Sequence, residues 1–491
     1  MNAETTISAG AAKGETPTSP RVAILGGGPA GVGAAYMLAK AGKAKPLVLE
    51  RGPRVGGNSG SFLHDGVNCD YGSHRLHPAS DPEILDMIRD LVGSDLLTRP
   101  RHGRIRLKGS WIHFPLKPAD LLMKMPKGFA LSLLRDMGTK PFRKGAATPE
   151  AETFASILHK ELGPAMCEGF YYPYMKKLWA LAPEKLAVTL ARRRISGSSI
   201  TKIIKKVLGQ LPGFKKPQTG IFYYPRTGFG LISESLKTGG ETLGARYNLE
   251  STVTAIEHED GKVKAVRWKT ADGAEQRFET DHVWSTIPLS LLVRSLEPAA
   301  PAHVIEATEK ISYRGMILIY ITLDQDQYTE FDAHYFPELN VPISRLSEPK
   351  NYSASSEPRG TTVLCAELPC DPHEELWGMT DDQLGQKLCD WLVDTGLPRP
   401  KLKASATRRL SHAYPVYDRD YETHFAVLDN YIASIDGLLT FGRQGLFAHD
   451  NTHHALAMSA AAVECFGADG SFDEAKWKVH RKHFESHVVE D

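Results

Sequence analysis

Eleven residues near the start of this 491-residue chain, Asn68-Cys-Asp-Tyr71-Gly-Ser-His74-Arg75-Leu-His77-Pro78, bring together two imidazoles, a guanidinium and a phenol. An imidazole can take up or release a proton near neutral pH. A guanidinium can grip a carboxylate or phosphate through two parallel N–H groups. A stretch so rich in titratable groups reads either as a polar surface turn or as the floor of an active site. In the second reading His74, Arg75 and Tyr71 are the catalytic candidates, and His77 is a substrate-binding one.

The elements that would position such a floor precede it. Arg21-Val-Ala-Ile-Leu25 is a short apolar run of buried-strand type, followed directly by Gly26-Gly-Gly28-Pro29-Ala30-Gly31. VGAAYMLAKAG then reads as a helix stopped by Gly42. PLVLE reads as a second strand ending at Glu50, nineteen positions past Gly31. A lone GxGxxG is a weak signal, but strand before, helix after and an acid closing the next strand are the context a dinucleotide site requires. Gly26 permits the turn, Gly28 lets backbone approach a pyrophosphate, and Gly31 lets helix and strand touch. The helix N-terminus would face the phosphates, and Glu50 would accept the ribose hydroxyls.

Beyond Glu50 the chain continues Arg51-Gly-Pro-Arg-Val-Gly56-Gly57-Asn58. This second glycine pair resembles the FAD-binding entry of the amine oxidase and protoporphyrinogen oxidase superfamily. Two distant segments are similar to that superfamily as well. Leu438 to Phe466 has a strand, a turn at Gly442 and Arg443, and an Ala-rich helix beginning near Asn451 and His453. In the superfamily this helix N-terminus points at the isoalloxazine carbonyl edge. Thr252 to Pro288 alternates like strands, with hairpin turns at Asp260-Gly261 and Asp272-Gly273; the family's counterpart of Val253 touches the adenine. The resemblance runs from Arg21 to about Phe466. It implies an α/β fold with a discontinuous Rossmann-type, glutathione reductase-like FAD domain (21–80, 220–295 and 415–470). A helical lobe (81–219) and a mixed-sheet substrate domain (296–414) complete it, with a disordered tail (1–20) and a C-terminal helix (471–491).

Several segments also resemble UDP-galactopyranose mutases. Tyr71 to His77 is similar to their YGxHxxHT run, in which the first histidine, here His74, lies by the flavin. Tyr171-Tyr-Pro-Tyr174-Met-Lys-Lys-Leu-Trp179 and Phe222-Tyr-Tyr-Pro-Arg226-Thr-Gly-Phe-Gly230 match two further stretches. The resemblance adds Tyr174, Trp179, Arg226, Arg345, Tyr414 and Tyr417 as substrate-binding candidates. Where the mutases end in YxDMDQ, this chain has HDNTHHA, a departure from that branch. The implied cofactor is non-covalent FAD, and the implied substrate a small molecule, anionic or resembling a sugar nucleotide.

Bulk properties fit. With 42% hydrophobic and 24% charged residues and a formal charge of +1, the chain is of ordinary globular type and offers no global argument for a nucleic-acid partner. Six scattered cysteines form no CxxC pair, so neither a metal site nor a disulfide framework is expected, and a cytoplasmic location fits best. No stretch of about 18 apolar residues is present to span a membrane. Residues 199–216, ITKIIKKVLGQL and its flanks, read as an amphipathic helix that either faces the core or docks at a membrane surface.

The leading expectation is an FAD-dependent oxidoreductase. A redox-neutral, flavin-dependent mutase of a nucleotide-linked sugar is the alternative, and a flavin-free binding protein like the GDP-dissociation inhibitors a remote third.

Overall fold

A computed structural model describes residues 19–115, 123–143, 148, 152–195 and 220–488. The expected N-terminal tail falls almost wholly, and the amphipathic segment 199–216 entirely, outside these residues. The chain is mixed α/β, organised around three sheets.

The first sheet is five-stranded and parallel, in the order Leu438–Thr440, His282–Ser285, Val22–Leu25, Leu47–Leu49, Arg246–Asn248. Its central strand is an uninterrupted apolar run with no exposed residue, as a parallel strand covered on both faces must be. Alternate side chains face opposite layers. Val22, Ile24 and Val48 pack toward the helices Pro29–Lys40 and Thr452–Cys465. Ala23, Leu25, Leu47 and Leu49 pack toward Ile256, Val266 and Trp268 of the second sheet.

That second sheet is the meander expected between Thr252 and Pro288. Thr252–Glu259, Lys262–Lys269 and Glu275–Glu279 run antiparallel, and Leu296–Glu297 adds a short parallel edge. Asp260 and Gly261 both take positive φ, 52° and 70°, the backbone twist that suits a two-residue hairpin.

The third sheet is seven-stranded and mixed. Tyr313–Leu323, its core strand, pairs on one side with Leu402–Pro415 and on the other with Thr362–Pro369. Ile317, Ile319 and Ile321 pack under the helix Asp381–Asp394, while Met316, Leu318 and Tyr320 face Phe62 and Cys69.

The order of this sheet departs from the expected division of the chain. Its far edge is Gly103–Leu107 and Ser110–Phe114, from the region read as a helical lobe. The sequence GRIRLKGSWIHF alternates with period two around Lys108-Gly109, and both turn residues have positive φ. The hairpin signal was present, and the helical runs on either side mask it. Those runs do form helices, among them Pro82–Val92, capped by the Asp81 carboxylate, and Phe154–Leu162. All six cysteines are buried and unbridged. No helix among the described residues is long and apolar enough to cross a membrane.

Candidate active site

The glycine turn sits at the C-terminal end of the central strand, and each glycine there answers a different constraint. Gly26 has φ +99°, and a Cβ on it would lie 2.6 Å from Thr286 Oγ1. A Cβ on Gly31 would lie 1.9 Å from the Gly26 carbonyl oxygen, so strand and helix meet with no room for a side chain. Gly28 is the opposite case. Nothing lies within 4 Å of its imagined Cβ, because it faces a cavity of about 860 Å³. Gly28 also begins the helix Pro29–Lys40 with no side-chain cap, leaving the first N–H groups to other acceptors.

Glu50, at the end of the next strand, accepts hydrogen bonds from Gly27 N (2.6 Å) and Gly52 N (2.7 Å) and lines the same cavity. Gly56 (φ +111°) donates to Gly27 O at 2.8 Å. Gly57 passes so close that its Cβ would be 3.2 Å from Gly28 Cα. The two glycine segments therefore fold against each other, bringing Pro29, Ala30, Arg51 and Asn58 to the wall, which Val253 joins from the meander. An open backbone concavity, a helix N-terminus and an acid fit a dinucleotide, and 860 Å³ falls within the roughly 300–1,000 Å³ of small-molecule sites.

The same cavity reaches the Tyr71–His77 segment, so that stretch is a site wall. What anchors it is Asp70. Its buried carboxylate accepts from Ser61 Oγ (2.5 Å), Tyr224 Oη (2.7 Å) and Phe229 N (2.9 Å), while its carbonyl accepts from Tyr320 Oη (2.6 Å). Burial raises the pKa of this carboxyl, against the opposing pull of His74 and its donors. Gly72 (φ +92°) then turns the chain so that Ser73 N donates to Glu367 Oε1 at 2.8 Å.

His74 Nε2 lies 3.0 Å from the Tyr71 carbonyl. An N–H there donates to that oxygen and leaves Nδ1 as the lone-pair nitrogen. The ring lies tilted against Phe229, centroids 5.4 Å apart, and burial lowers its pKa below the ordinary histidine value, with Asp70 opposing. His74 is thus a neutral, oriented imidazole at the cavity wall.

Arg75 is held differently. It donates to Tyr335 Oη (2.9 Å) and Tyr352 Oη (3.1 Å), pairs with Asp332 at 3.2 Å, and lies between the rings of Phe222 and Tyr352. Its charge is permanent and most of its donors are engaged, which makes it a strut of the wall. Arg345 donates through Nε (2.9 Å) and Nη2 (2.7 Å) to Glu367 Oε1, leaving Nη1 with no partner among the described residues. His77, Tyr174 and Tyr414 line the cavity, as do Arg443 and Asn451. Arg443 lies over the Tyr414 ring and donates to Ala413 O at 2.9 Å. Asn451 caps the helix Thr452–Cys465.

Other expected site residues stand off the wall. Arg226 is exposed and paired with Asp95 at 3.1 Å, because its turn puts it on the outer side of the loop that Asp70 anchors. Trp179 is buried behind Tyr414 and His449, edge-on to both. Tyr417 is buried too, its hydroxyl donating to Phe447 O at 2.7 Å. His453 is buried behind the helix N-terminus, its pKa pushed down to about 3 by desolvation. Gly31, Gly56 and Gly442 shape the backbone without lining the cavity; a Cβ on Gly442 would press on Ala30 Cβ at 2.8 Å.

Sequence reasoning missed Asp70, Glu367, Tyr335 and Tyr352. Glu367 had a signal, as the sole charge in the buried strand TVLCAELP. Asp450 also lines the cavity. Its carboxylate meets Arg193 (3.7 Å), His454 (3.8 Å) and His487 (3.3 Å). Arg193 supplies positive charge there, and His454 Nδ1 already accepts from Asn451 N at 3.3 Å.

Among the described residues, nine arginines line the cavity against three acids, Glu50, Glu367 and Asp450, so positive charge predominates on its wall.

Comparison with known proteins agrees with this geometry. A curated relative, protoporphyrinogen oxidase 2, chloroplastic/mitochondrial, of Arabidopsis thaliana is 20% identical over 475 residues, 87% of this chain and 90% of that protein. Reduced UDP-galactopyranose mutase superposes with a TM-score of 0.75 at 20% identity, covering 91% of this chain and 93% of that one. Cyclohexylamine oxidase from Brevibacterium oxydans gives 0.61 at 16% identity, over 91% and 99%. The mixed α/β fold is therefore that of flavin-dependent amine oxidases and mutases, whose cofactor is typically FAD. Residues 29–415 match the model of one family, and the chain belongs to it: the flavin-containing amine oxidoreductases.

Proposed function

We propose that the chain is an FAD-dependent oxidoreductase that removes hydride from an anionic organic substrate. The observation that carries this reading is one continuous cavity bounded by Gly28 and Glu50 as well as by His74 and Arg345. The parallel sheet and its glycine turn are read as a Rossmann-type site. The open Gly28 backbone and the N–H groups of the following helix would hold the pyrophosphate. Glu50 would take the ribose, Val253 would lie against the adenine, and Asn451 with its helix N-terminus would face the ring system. Neither a cysteine nor a lysine lines the cavity among the described residues, which supports non-covalent binding.

A bound flavin supplies the two-electron acceptor; the other tasks fall to the chain. Arg345, fixed by Glu367, presents charge to the anionic group of the substrate and sets its pose. His74 Nδ1, neutral through burial, accepts the substrate proton. Arg75 braces Tyr335 in the wall and Tyr352 behind it.

The test is direct. The purified protein is expected to be yellow, to release its flavin on denaturation, and to bleach anaerobically when an anionic substrate is supplied. His74→Ala should keep the colour and lose the bleaching. A colourless protein that refuses added FAD overturns the reading. The surplus of arginine over acid on the wall favours a second reading, rearrangement of a nucleotide-linked sugar without net oxidation. In that case product forms only after the flavin is reduced with dithionite, and substrate alone bleaches nothing.

A further inference from the structure

The helix Lys127–Thr139 carries apolar side chains on two faces. Phe129, Ala130 and Leu133 pack inward against Leu107, Ile112 and Met125. On the other side Leu131 and Leu134 are 68% and 64% exposed, with Phe142 just beyond the helix at 84% and Met123 just before it at 76%. Six other large apolar side chains are exposed among the described residues, and they are scattered through the chain. Four such side chains fall within some twenty residues of sequence, and exposed apolar side chains gathered on one helix and its flanks mark a contact surface.

Cations flank the two leucines. Lys127, Leu131, Leu134 and Arg135 follow the i, i+4, i+7, i+8 spacing of a single helical face. Neither Lys127 nor Arg135 has an ion-pair partner among the described residues. Lys124 and Lys140 add to the basic side, though Lys140 pairs with Glu161 at 3.1 Å, while Arg143 turns inward and donates to the His159, Lys160 and Asp136 carbonyls. The one carboxylate in the stretch, Asp136, is turned inward, where it accepts from Ala165 N at 2.7 Å.

We infer that this face docks on an anionic lipid surface, with Leu131, Leu134 and Phe142 entering the interface and Lys127 and Arg135 meeting the headgroups. The geometry is that of an interfacial helix, with apolar centre, basic flanks and too short an apolar run to span. A second copy of the chain is a poor occupant, since a two-fold contact sets each cation against its own kind. The assignment does not depend on the catalytic reading. It does connect to the cavity: Phe129 stands over Gly169, whose Cβ would be 2.5 Å from its ring, Phe170 meets Tyr174 at 5.8 Å, and Tyr174 lines the cavity. Two ring layers thus separate the docked face from the cavity.

Flotation of the full-length protein with vesicles of phosphatidylcholine alone, or mixed with phosphatidylglycerol, tests the inference. Binding is expected only to the mixed vesicles and should weaken as salt is raised. L131D/L134D and K127E/R135E should each lose about tenfold or more of that binding, with thermal unfolding and near-ultraviolet dichroism unchanged. Absence of wild-type flotation at low salt overturns the inference. So does equal flotation of both variants, which would assign the contact to another part of the chain. A wild-type dimer that L131D/L134D converts to monomer would also overturn it, by naming a second copy as the occupant.

Discussion

Two alanine substitutions three positions apart, at Gly28 and Gly31, should behave oppositely. Gly28 has φ −70° and ψ 175°, which alanine adopts freely, and nothing lies within 4 Å of the added methyl. Restricting the unfolded chain should stabilise Gly28→Ala by about 0.4–1 kcal/mol. Alanine at a helix N-cap costs about the same, so the net change should stay within about 0.5 kcal/mol. The methyl would, however, stand where the pyrophosphate must approach. A clash worth about 3 kcal/mol lowers flavin affinity by roughly two orders of magnitude. Gly31→Ala places Cβ 1.9 Å from the Gly26 carbonyl oxygen, well inside the 3.0 Å that such contacts essentially never breach. Strand and helix would have to part, and the apoprotein should lose about 3 kcal/mol or more. Urea unfolding of the two apoproteins and fluorescence titration with FAD separate the effects. Wild-type FAD affinity in Gly28→Ala would refute the argument that this open backbone is the phosphate cradle. Wild-type stability in Gly31→Ala would refute the packing argument.

Asp70→Ala strips the acceptor from Ser61, Tyr224 and Phe229 N together; it should cost about 3–5 kcal/mol in urea unfolding, whereas Asp70→Asn should recover part of that. Arg226→Ala removes an exposed pair and should change stability by less than about 1 kcal/mol and leave substrate bleaching intact. Burial holds His334 and His453 down to about 3 and His454 to about 4. Their folded pKa values lie below the unfolded value of about 6.5, so the unfolded chain takes up protons that the folded one refuses. Stability from these groups is complete above about pH 6.5 and falls by about 1.4 kcal/mol per pH unit for each as the medium becomes more acidic. Urea midpoints measured from about pH 7 down to about pH 5 should decline, and His453→Gln should flatten the slope by about one proton; a slope unchanged by that substitution would remove His453 from the account.

The glycine turn was legible because its signals are local: each glycine requirement arises within a few residues of strand, turn and helix. His74 was legible through neighbours in sequence and a resembling motif. The partners that fix it were not. Glu367 reaches Ser73 across 294 positions and Tyr352 reaches it across 279, and no periodicity encodes such contacts. Arg226 shows the reverse failure. It sits in a turn whose sequence suits the site, but which way its side chain leaves the turn depends on Asp95, which the motif does not contain. Trp179 and Tyr417 are bulky aromatics near the site in sequence, and bulk drew them into the core behind it. The strands at Gly103–Phe114 joined the far sheet because their partner, Ala333–Tyr335, comes more than two hundred residues later.

The parallel sheet has a consequence for biosynthesis. Its middle strand, Val22–Leu25, is translated long before one of its two partners. One neighbour, Leu47–Leu49, follows at once; the other, His282–Ser285, comes some 260 positions on, and the outer strand beyond it later still. At about 5–20 residues per second, translation leaves one edge of that apolar strand uncovered for on the order of ten to fifty seconds. For that interval the nascent chain displays a sticky β edge, so chaperone supply and translation pace should govern how much of this protein reaches its native state.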